Sequence, residues 1–142
     1  MQTRFTSLVK LKKSTMQKSE RIVQKANANL NSASTALEVS YNSLKDIEVP
    51  TIGSVGDMLA SRALLNSQRD IIQHNKEWVG FAKEQVLQAK EKLKSDMIDF
   101  EKFKYLELQE INKEIKRQKI QEAKNLDEVA LMTFSNNNEK GI

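Results

Sequence analysis

Residues 48–57 read Glu-Val-Pro-Thr-Ile-Gly-Ser-Val-Gly-Asp and interrupt an otherwise continuous helical pattern. They hold Pro50, the only proline of the chain, and two of its four glycines. Proline disfavours helix in the residue before it, and glycine permits turn conformations. Asp57 can accept hydrogen bonds from the free amides of a helix that starts there. This stretch therefore predicts a loop, at about residues 48–56, between two helices.

Apolar residues recur every seven positions on both sides of this loop. They are Val9, Met16, Val23, Leu30, Leu37 and Leu44 before it, and Met58, Leu65, Ile72, Val79, Val86, Leu93 and Phe100 after it. A companion column, three or four residues away, is rich in alanine and serine. A seven-residue repeat of this length is typical of a left-handed coiled coil. Small residues in alternate layers allow close approach of the helices, which favours a two-stranded pairing.

These patterns predict an all-α fold, an antiparallel two-helix coiled-coil hairpin whose longer second helix projects past the first. We expect helices at about residues 3–47 and 57–133, a disordered polar tail at about 134–142, and one coiled-coil domain over residues 1–142.

The phase of the apolar stripe slips beyond Phe100, because Ile111 lies eleven residues further on, which indicates a stutter. Leu108, Ile111, Ile115 and Leu126 lie on the projecting part of the second helix. They have no partner helix in this arrangement, so we expect another molecule to cover them.

The composition argues against an enzyme. Cysteine is absent, and His74 is the single histidine, in a polar stretch that predicts a solvated surface group. Thiolate and paired-histidine metal sites are therefore excluded, and little remains for acid–base chemistry. We expect no cofactor and no metal. No apolar run approaches the roughly 20 residues of a bilayer span, and the basic N-terminus lacks the apolar stretch of a secretion signal, so we expect a soluble intracellular protein.

The formal net charge of +4 is unevenly distributed. Seven basic residues, among them Arg4, Lys10 and Lys13, fall within residues 1–25, against the single acid Glu20. Such an end could bind an acidic protein surface, or it could be a solvated helix face. Nucleic-acid binding is disfavoured because phosphate contacts normally come with more cations and with stacking aromatics.

Leu64, Ile71 and Trp78 form a second column with a period of seven, one residue ahead of the core positions. Tyr41 lies at a similar height on the first helix. These four residues could form an exposed aromatic and aliphatic patch, or a wide seam could bury them. Three glutamates follow helical spacing further on and are interpreted as salt-bridging surface residues; they are Glu107, Glu110 and Glu114.

Two segments resemble a known family. The N-terminal segment reads Phe5-x-x-Leu8-Val9-x-Leu11-Lys12, and the closing run reads Lys119-x-x-x-Ala123-Lys124-Asn125-Leu126-Asp127-Glu128-Val129-Ala130. The closing run is similar to the ending typical of the flagellar export protein FliJ, and the resemblance covers nearly the whole chain.

This resemblance implies a component of the flagellar type III export apparatus, similar to the central stalk of rotary ATPases. It would insert into the export ATPase hexamer, contact the cytoplasmic domain of the membrane export gate and escort export chaperones. The residues suited to the ATPase ring are Arg4, Lys10, Lys13, Ile111, Ile115, Leu126 and Val129. Those suited to the gate are Tyr41, Leu64, Ile71 and Trp78.

The same resemblance implies a cytoplasmic protein at the inner membrane of the flagellar base, without membrane insertion. We expect it to be a monomer when alone. The alternative function is a general coiled-coil holdase chaperone or scaffold, which predicts self-oligomers and broad client binding. A basic helical nucleic-acid binder is a third class, which a salt-dependent shift with arbitrary DNA would reveal.

Overall fold

Two α-helices make up the computed structural model of the protein: α1, Thr6–Lys45, and α2, Val55–Lys140. The structure describes residues 2–48 and 52–140, with side chains up to residue 138, so Pro50 of the predicted loop lies outside the described residues. The helices pack against each other, and the predicted all-α hairpin is confirmed. The chain divides into two compact units, each containing part of both helices. The single-domain assignment stays a prediction.

Unit 2, Ser14–Met97, follows the predicted heptads closely. Ser19 contacts Asp96, and Ser40, three heptads further along α1, contacts Asn75, three heptads back along α2. The pairing is therefore antiparallel and in constant register over this length. The most buried side chains all occupy predicted core positions; they are Ser19, Ala26, Ala33, Ser40, Ile72, Ala82, Val86 and Ala89.

Alanine dominates this core. Ala33 has no exposed surface, and the cluster of Ala26, Val86 and Ala89 packs against the half-buried Val23 and Leu30. No large side chain among the described residues is fully buried. The small residues therefore lie at the centre of the interface, while the longer apolar side chains close its edges. The predicted role of the alanine and serine column agrees with this packing.

Polar layers interrupt the apolar core of unit 2. The Ser40 hydroxyl donates to the Ala36 carbonyl at 2.7 Å and accepts a hydrogen bond from the Asn75 amide. Gln68 Nε2 donates to the Ser40 carbonyl at 2.9 Å. At the other end of the unit, the Ser19 hydroxyl donates to the Asp96 carboxylate. These pairs specify the register, because each polar group is satisfied by a partner on the facing helix.

Local capping sets the observed helix starts. Ser54 precedes α2, its hydroxyl accepts from the Asp57 amide at 3.2 Å, and the Asp57 carboxylate accepts from the Ser54 amide at 3.3 Å. This reciprocal arrangement is a capping box. The predicted N-cap at Asp57 is therefore corrected to Ser54, and α2 starts two residues earlier than predicted. At α1, Thr3 accepts from the Phe5 amide at 3.1 Å, so the regular helix begins at Thr6 rather than near residue 3.

The end of α2 also differs from prediction. Helix continues through Lys140, where the polar composition predicted a disordered tail from residue 134. No proline follows Pro50, and after Gly80 the next glycine is Gly141, so this segment has no strong helix breaker. The Thr133 hydroxyl donates back to the Val129 carbonyl at 2.9 Å.

In unit 1, comprising Met1–Lys13 and Ile98–Ile142, glutamates occupy the core positions after Phe103. Glu110 and Glu114 form the predicted ion pairs, with Arg4 and Arg117, but Glu107, Glu110 and Glu114 are half-buried rather than fully on the surface. The N-terminal segment contacts Glu110, since Arg4 Nη2 donates to Glu110 Oε1 at 2.9 Å. Ile111 is half-buried as well, as the predicted stutter places it, and the expectation that it would be bare is corrected.

Replacing Gly80 with alanine should stabilise the protein by about 0.5–1 kcal/mol. Gly80 is exposed within α2, has no positive φ, and a Cβ there would meet no atom within 4 Å. Urea unfolding measures the change. Gly53→Ala is the control, because its Cβ would lie 3.2 Å from the Asp57 carboxylate of the capping box and should bring no comparable gain. Equal midpoints for Gly80→Ala and the parent would contradict the prediction.

Candidate functional site

The C-terminal part of α2 is the most exposed segment of unit 1. Every residue from Ile115 to Asn138 is exposed. Leu126 and Val129, with 70% and 58% of their surface exposed, share a helix face with Ile115. Among the predicted ATPase-binding residues, Ile115, Leu126 and Val129 thus form one apolar face, which we call the distal apolar face. Ile111 lies at its half-buried edge.

The predicted basic residues of unit 1 differ in their surroundings. Lys10 and Lys13 are exposed on α1. Arg4 is bound to Glu110 and lies 4.9 Å from the Phe5 ring centroid, so part of its charge is already neutralised. A shallow cavity beside Arg4 is lined by Glu110, Glu114 and Arg117. Arg117 donates to Glu114 at 2.6 and 3.0 Å, and these hydrogen bonds lower the pKa of the Glu114 carboxyl.

Sequence reasoning missed a second apolar face on the same helical segment. Ile120, Leu131 and Phe134 are all more than half exposed and lie about opposite to the distal apolar face. The sequence did contain a signal for this face. Leu131 follows Ile120 by eleven residues, and Phe134 follows Leu131 by three, which is the apolar spacing that continues a helix face beyond a stutter. The expectation of a disordered tail from residue 134 concealed it.

In unit 2, three of the four predicted gate-binding residues lie in one line on α2. Leu64, Ile71 and Trp78 are exposed by 56%, 46% and 39%, so the seam does not bury them. Phe81, which the sequence reasoning missed, is 64% exposed and lines a groove with Trp78, His74 and Glu77. We call Leu64, Ile71, Trp78 and Phe81 the apolar flank. A second groove links Phe81 to the exposed Ile22 of α1.

Tyr41 does not join this flank. Its ring lies 5.7 Å from the Lys76 ammonium. Lys76 and Trp78 are two residues apart on α2, so their side chains point in directions about 160° apart around the helix axis. The predicted patch is therefore divided between the two sides of the hairpin, and the assumption that all four residues would lie together is corrected.

The described residues offer little for chemistry. Within residues 2–48 and 52–138, no group of three His, Cys, Asp or Glu side chains could hold a metal ion. His74 is exposed, as predicted. Neither helix, over its described part, has an apolar stretch long enough to cross a membrane. The exposed features described above are open surfaces and shallow grooves rather than enclosed pockets.

Comparison of the chain with known proteins identifies a matching family. The family model described as the flagellar FliJ protein matches residues 1–139. None of the curated proteins and none of the solved structures matches the chain. The family comprises non-catalytic components of flagellar biogenesis and protein export. Because the match extends over nearly the entire chain, the protein belongs to the FliJ family of flagellar export components.

Proposed function

We propose that this protein is a non-enzymatic, stalk-like component of the flagellar type III export apparatus. Unit 1 inserts into the export ATPase hexamer and promotes its assembly and activity, and unit 2 contacts the cytoplasmic domain of the export gate. The protein also escorts export chaperones. It acts in the cytoplasm, peripherally associated with the inner membrane at the flagellar base. The family match supports the apparatus, and the surfaces support the division of roles.

The observation that carries the ATPase assignment is the exposed segment from Ile115 to Asn138. A single helix is narrow, about 10–12 Å across with its side chains, and can enter the opening of a ring. Inside the ring, the distal apolar face would be buried against the ATPase subunits. Such burial would stabilise the segment, because a helix gains most of its stability from the packing of an apolar face. Lys10 and Lys13 of the same unit are available for acidic groups at the rim of the ring.

Replacing Leu126 and Val129 together with serine should abolish most stimulation of the export ATPase. Each side chain would contribute about 1.5–3 kcal/mol if fully buried, so affinity for the hexamer should fall at least about tenfold. ATP hydrolysis by the purified flagellar export ATPase and the native mass of the mixture measure the two effects.

The opposite face supplies a matched control. Ile120→Ser with Leu131→Ser changes two exposed apolar residues on the same segment to the same residue. This variant should retain stimulation, with one copy per six ATPase subunits. Equal losses in both double variants would contradict an orientation-specific contact. Full stimulation by the Leu126 and Val129 variant would refute the ATPase role of this face.

Replacing Ile71 and Trp78 together with alanine should weaken binding to the cytoplasmic domain of the export gate at least about tenfold, because aromatic anchors dominate such contacts. Tyr41→Ala is the control, since Tyr41 is comparably exposed at 38% but lies on the other side of the hairpin. Calorimetric titration measures both, with helicity checked by circular dichroism. A larger effect from Tyr41→Ala would indicate that the gate binds the other side of the hairpin, the side that carries Tyr41 and Lys76.

A further inference from the structure

Five basic residues form a straight column along α2 in unit 2. Arg62, Arg69, Lys76, Lys83 and Lys90 recur every seven residues, and all five are exposed. At 1.5 Å per residue they are spaced by about 10 Å over a total of about 42 Å. We call them the basic column. It lies on the side of the hairpin that carries Tyr41, away from the apolar flank.

Charges at this heptad position normally pair across a coiled coil with charges on the facing helix. Here α1 does not supply them. The contact between Tyr41 and Lys76 fixes which residues of the two helices lie level with each other. Ser34 and Asn27, one and two heptads back along α1, therefore lie level with the next two lysines of the basic column. Neither side chain carries a charge, so neither can neutralise a cation.

One carboxylate lies beyond the end of α1 at the same spacing. Glu48 follows Tyr41 by seven residues, which would place it level with Arg69, and its side chain is exposed. Even so, over the described ranges no ion pair reaches any member of the basic column. The cations are therefore open to carboxylates from another molecule.

The carboxylates of α2 itself do not compensate either. Asp70, Glu77, Glu84 and Glu91 each follow a member of the basic column by one residue, and so form their own column about 100° further around the helix. Pairing along a helix requires a separation of three or four residues. The acidic column also disfavours a broad anionic surface. A membrane or a nucleic acid approaching α2 would meet a carboxylate beside nearly every cation.

The basic column begins at a half-open cavity of about 600 Å³ near the start of α2. Its apolar lining residues are Val55, Met58, Leu59 and Leu65, and its polar ones are Ser61, Arg62, Asn66 and Arg69. Met58 occupies a core position of the heptad, yet 52% of its surface is exposed. An apolar side chain inserted here would lie directly beside two arginines.

We propose that the basic column is a docking surface for a third helix, contributed by another protein, that carries carboxylates at seven-residue spacing and an apolar anchor at one end. Asn27 and Ser34 have short, uncharged side chains, so such a helix meets no charge of α1 at these two positions. Its carboxylates meet the cations that α1 leaves unpaired. The apolar anchor enters the cavity at Met58 and Leu65. This surface is separate from the apolar flank and does not depend on the ATPase or gate assignments.

Two synthetic peptides test the proposal on the unaltered protein. One is a fluorescein-labelled helical peptide of about 30 residues with glutamate at every seventh position and a leucine pair at one end, long enough to span the basic column. The other has the same composition with the glutamates redistributed around the helix. Fluorescence anisotropy should show at least about tenfold tighter binding of the first. Equal affinities for the two peptides would overturn the proposal, and this comparison requires no change to the protein.

Charge reversal locates the site. Arg69→Glu, Lys76→Glu and Lys83→Glu together should weaken binding of the spaced peptide at least about tenfold. Lys18→Glu, Arg21→Glu and Lys25→Glu alter the net charge equally on exposed positions of α1 and should weaken it less than about threefold. Circular dichroism confirms that both variants stay helical. Equal losses in the two variants would reduce the effect to net charge and overturn the assignment.

Three other ligands of the basic column are tested in the same way: DNA, an anionic membrane and a second copy of this chain. Duplex DNA of arbitrary sequence, and vesicles containing phosphatidylserine, are titrated in parallel under the same salt conditions. Tighter binding of either through the basic column than of the spaced peptide would overturn the proposal in favour of a polyanion. Analytical ultracentrifugation of the protein alone measures whether it forms a dimer. A dimer that disappears on reversal of the basic column would overturn it in favour of a second copy.

Discussion

Replacing Ala33 with leucine is expected to destabilise unit 2 by about 1–3 kcal/mol. Ala33 has no exposed surface and lies at a core position where the register of the polar layers places Ala82 opposite it. The added carbon atoms of leucine cannot fit between helices held this close, so the backbones must separate. Separation would also loosen the neighbouring layer around Ala26 and Ala89, which is built from equally small residues.

Ala28→Leu is the matched control. It makes the same substitution on α1, five residues from Ala33, at an exposed position. Alanine and leucine differ little in helix propensity, so this change should move stability by less than about 0.5 kcal/mol. Urea unfolding followed by circular dichroism measures both variants. If Ala33→Leu unfolded at the same urea concentration as Ala28→Leu, the close approach of the helices would be wrong.

The core of unit 2 was predictable because the seven-residue repeat selects one set of side chains that can face the partner helix. Heptad columns such as Val23 with Leu30, and Ala26 with Ala33, determine which side chains face the partner helix. The structure buries or half-buries these positions as expected. The exact helix ends were less predictable, because they depend on short-range hydrogen bonds. A serine at 54 and an aspartate at 57 can each serve as the cap, and only the backbone geometry decides between them.

The candidate surfaces were only partly predictable. Tyr41 and Trp78 lie at similar heights, but Tyr41 follows a core residue of the alanine–serine column whereas Trp78 precedes one of the apolar column. In an antiparallel pair these two positions belong to opposite sides, which height alone does not reveal. Regional net charge also concealed the basic column. Its cations and the adjacent carboxylates cancel in any sum over residues, although they lie on different faces of α2.

Replacing Asn75 with leucine and Ser40 with alanine is expected to leave the hairpin folded but to loosen its register. The apolar columns repeat every seven residues, so a slip of one heptad preserves most apolar contacts and costs mainly those at the ends. In the unaltered protein such a slip would also separate Asn75 from Ser40 and Gln68 from the Ser40 carbonyl. Buried polar pairs of this kind give specificity rather than stability, so the double variant should be at least as stable as the parent.

Cysteine cross-linking measures the register directly, because the chain contains no cysteine. The pair Ala33→Cys with Ala82→Cys reports the observed register, and Ala26→Cys with Ala82→Cys reports a slip of one heptad. In the parent, the first pair should oxidise within the chain and the second should not, since their Cα atoms would lie about 10 Å apart along the helix, too far for a disulfide. In the variant, both pairs should cross-link. Absence of the slipped product there would mean that the second polar layer, at Ser19 and Asp96, is sufficient to hold the register.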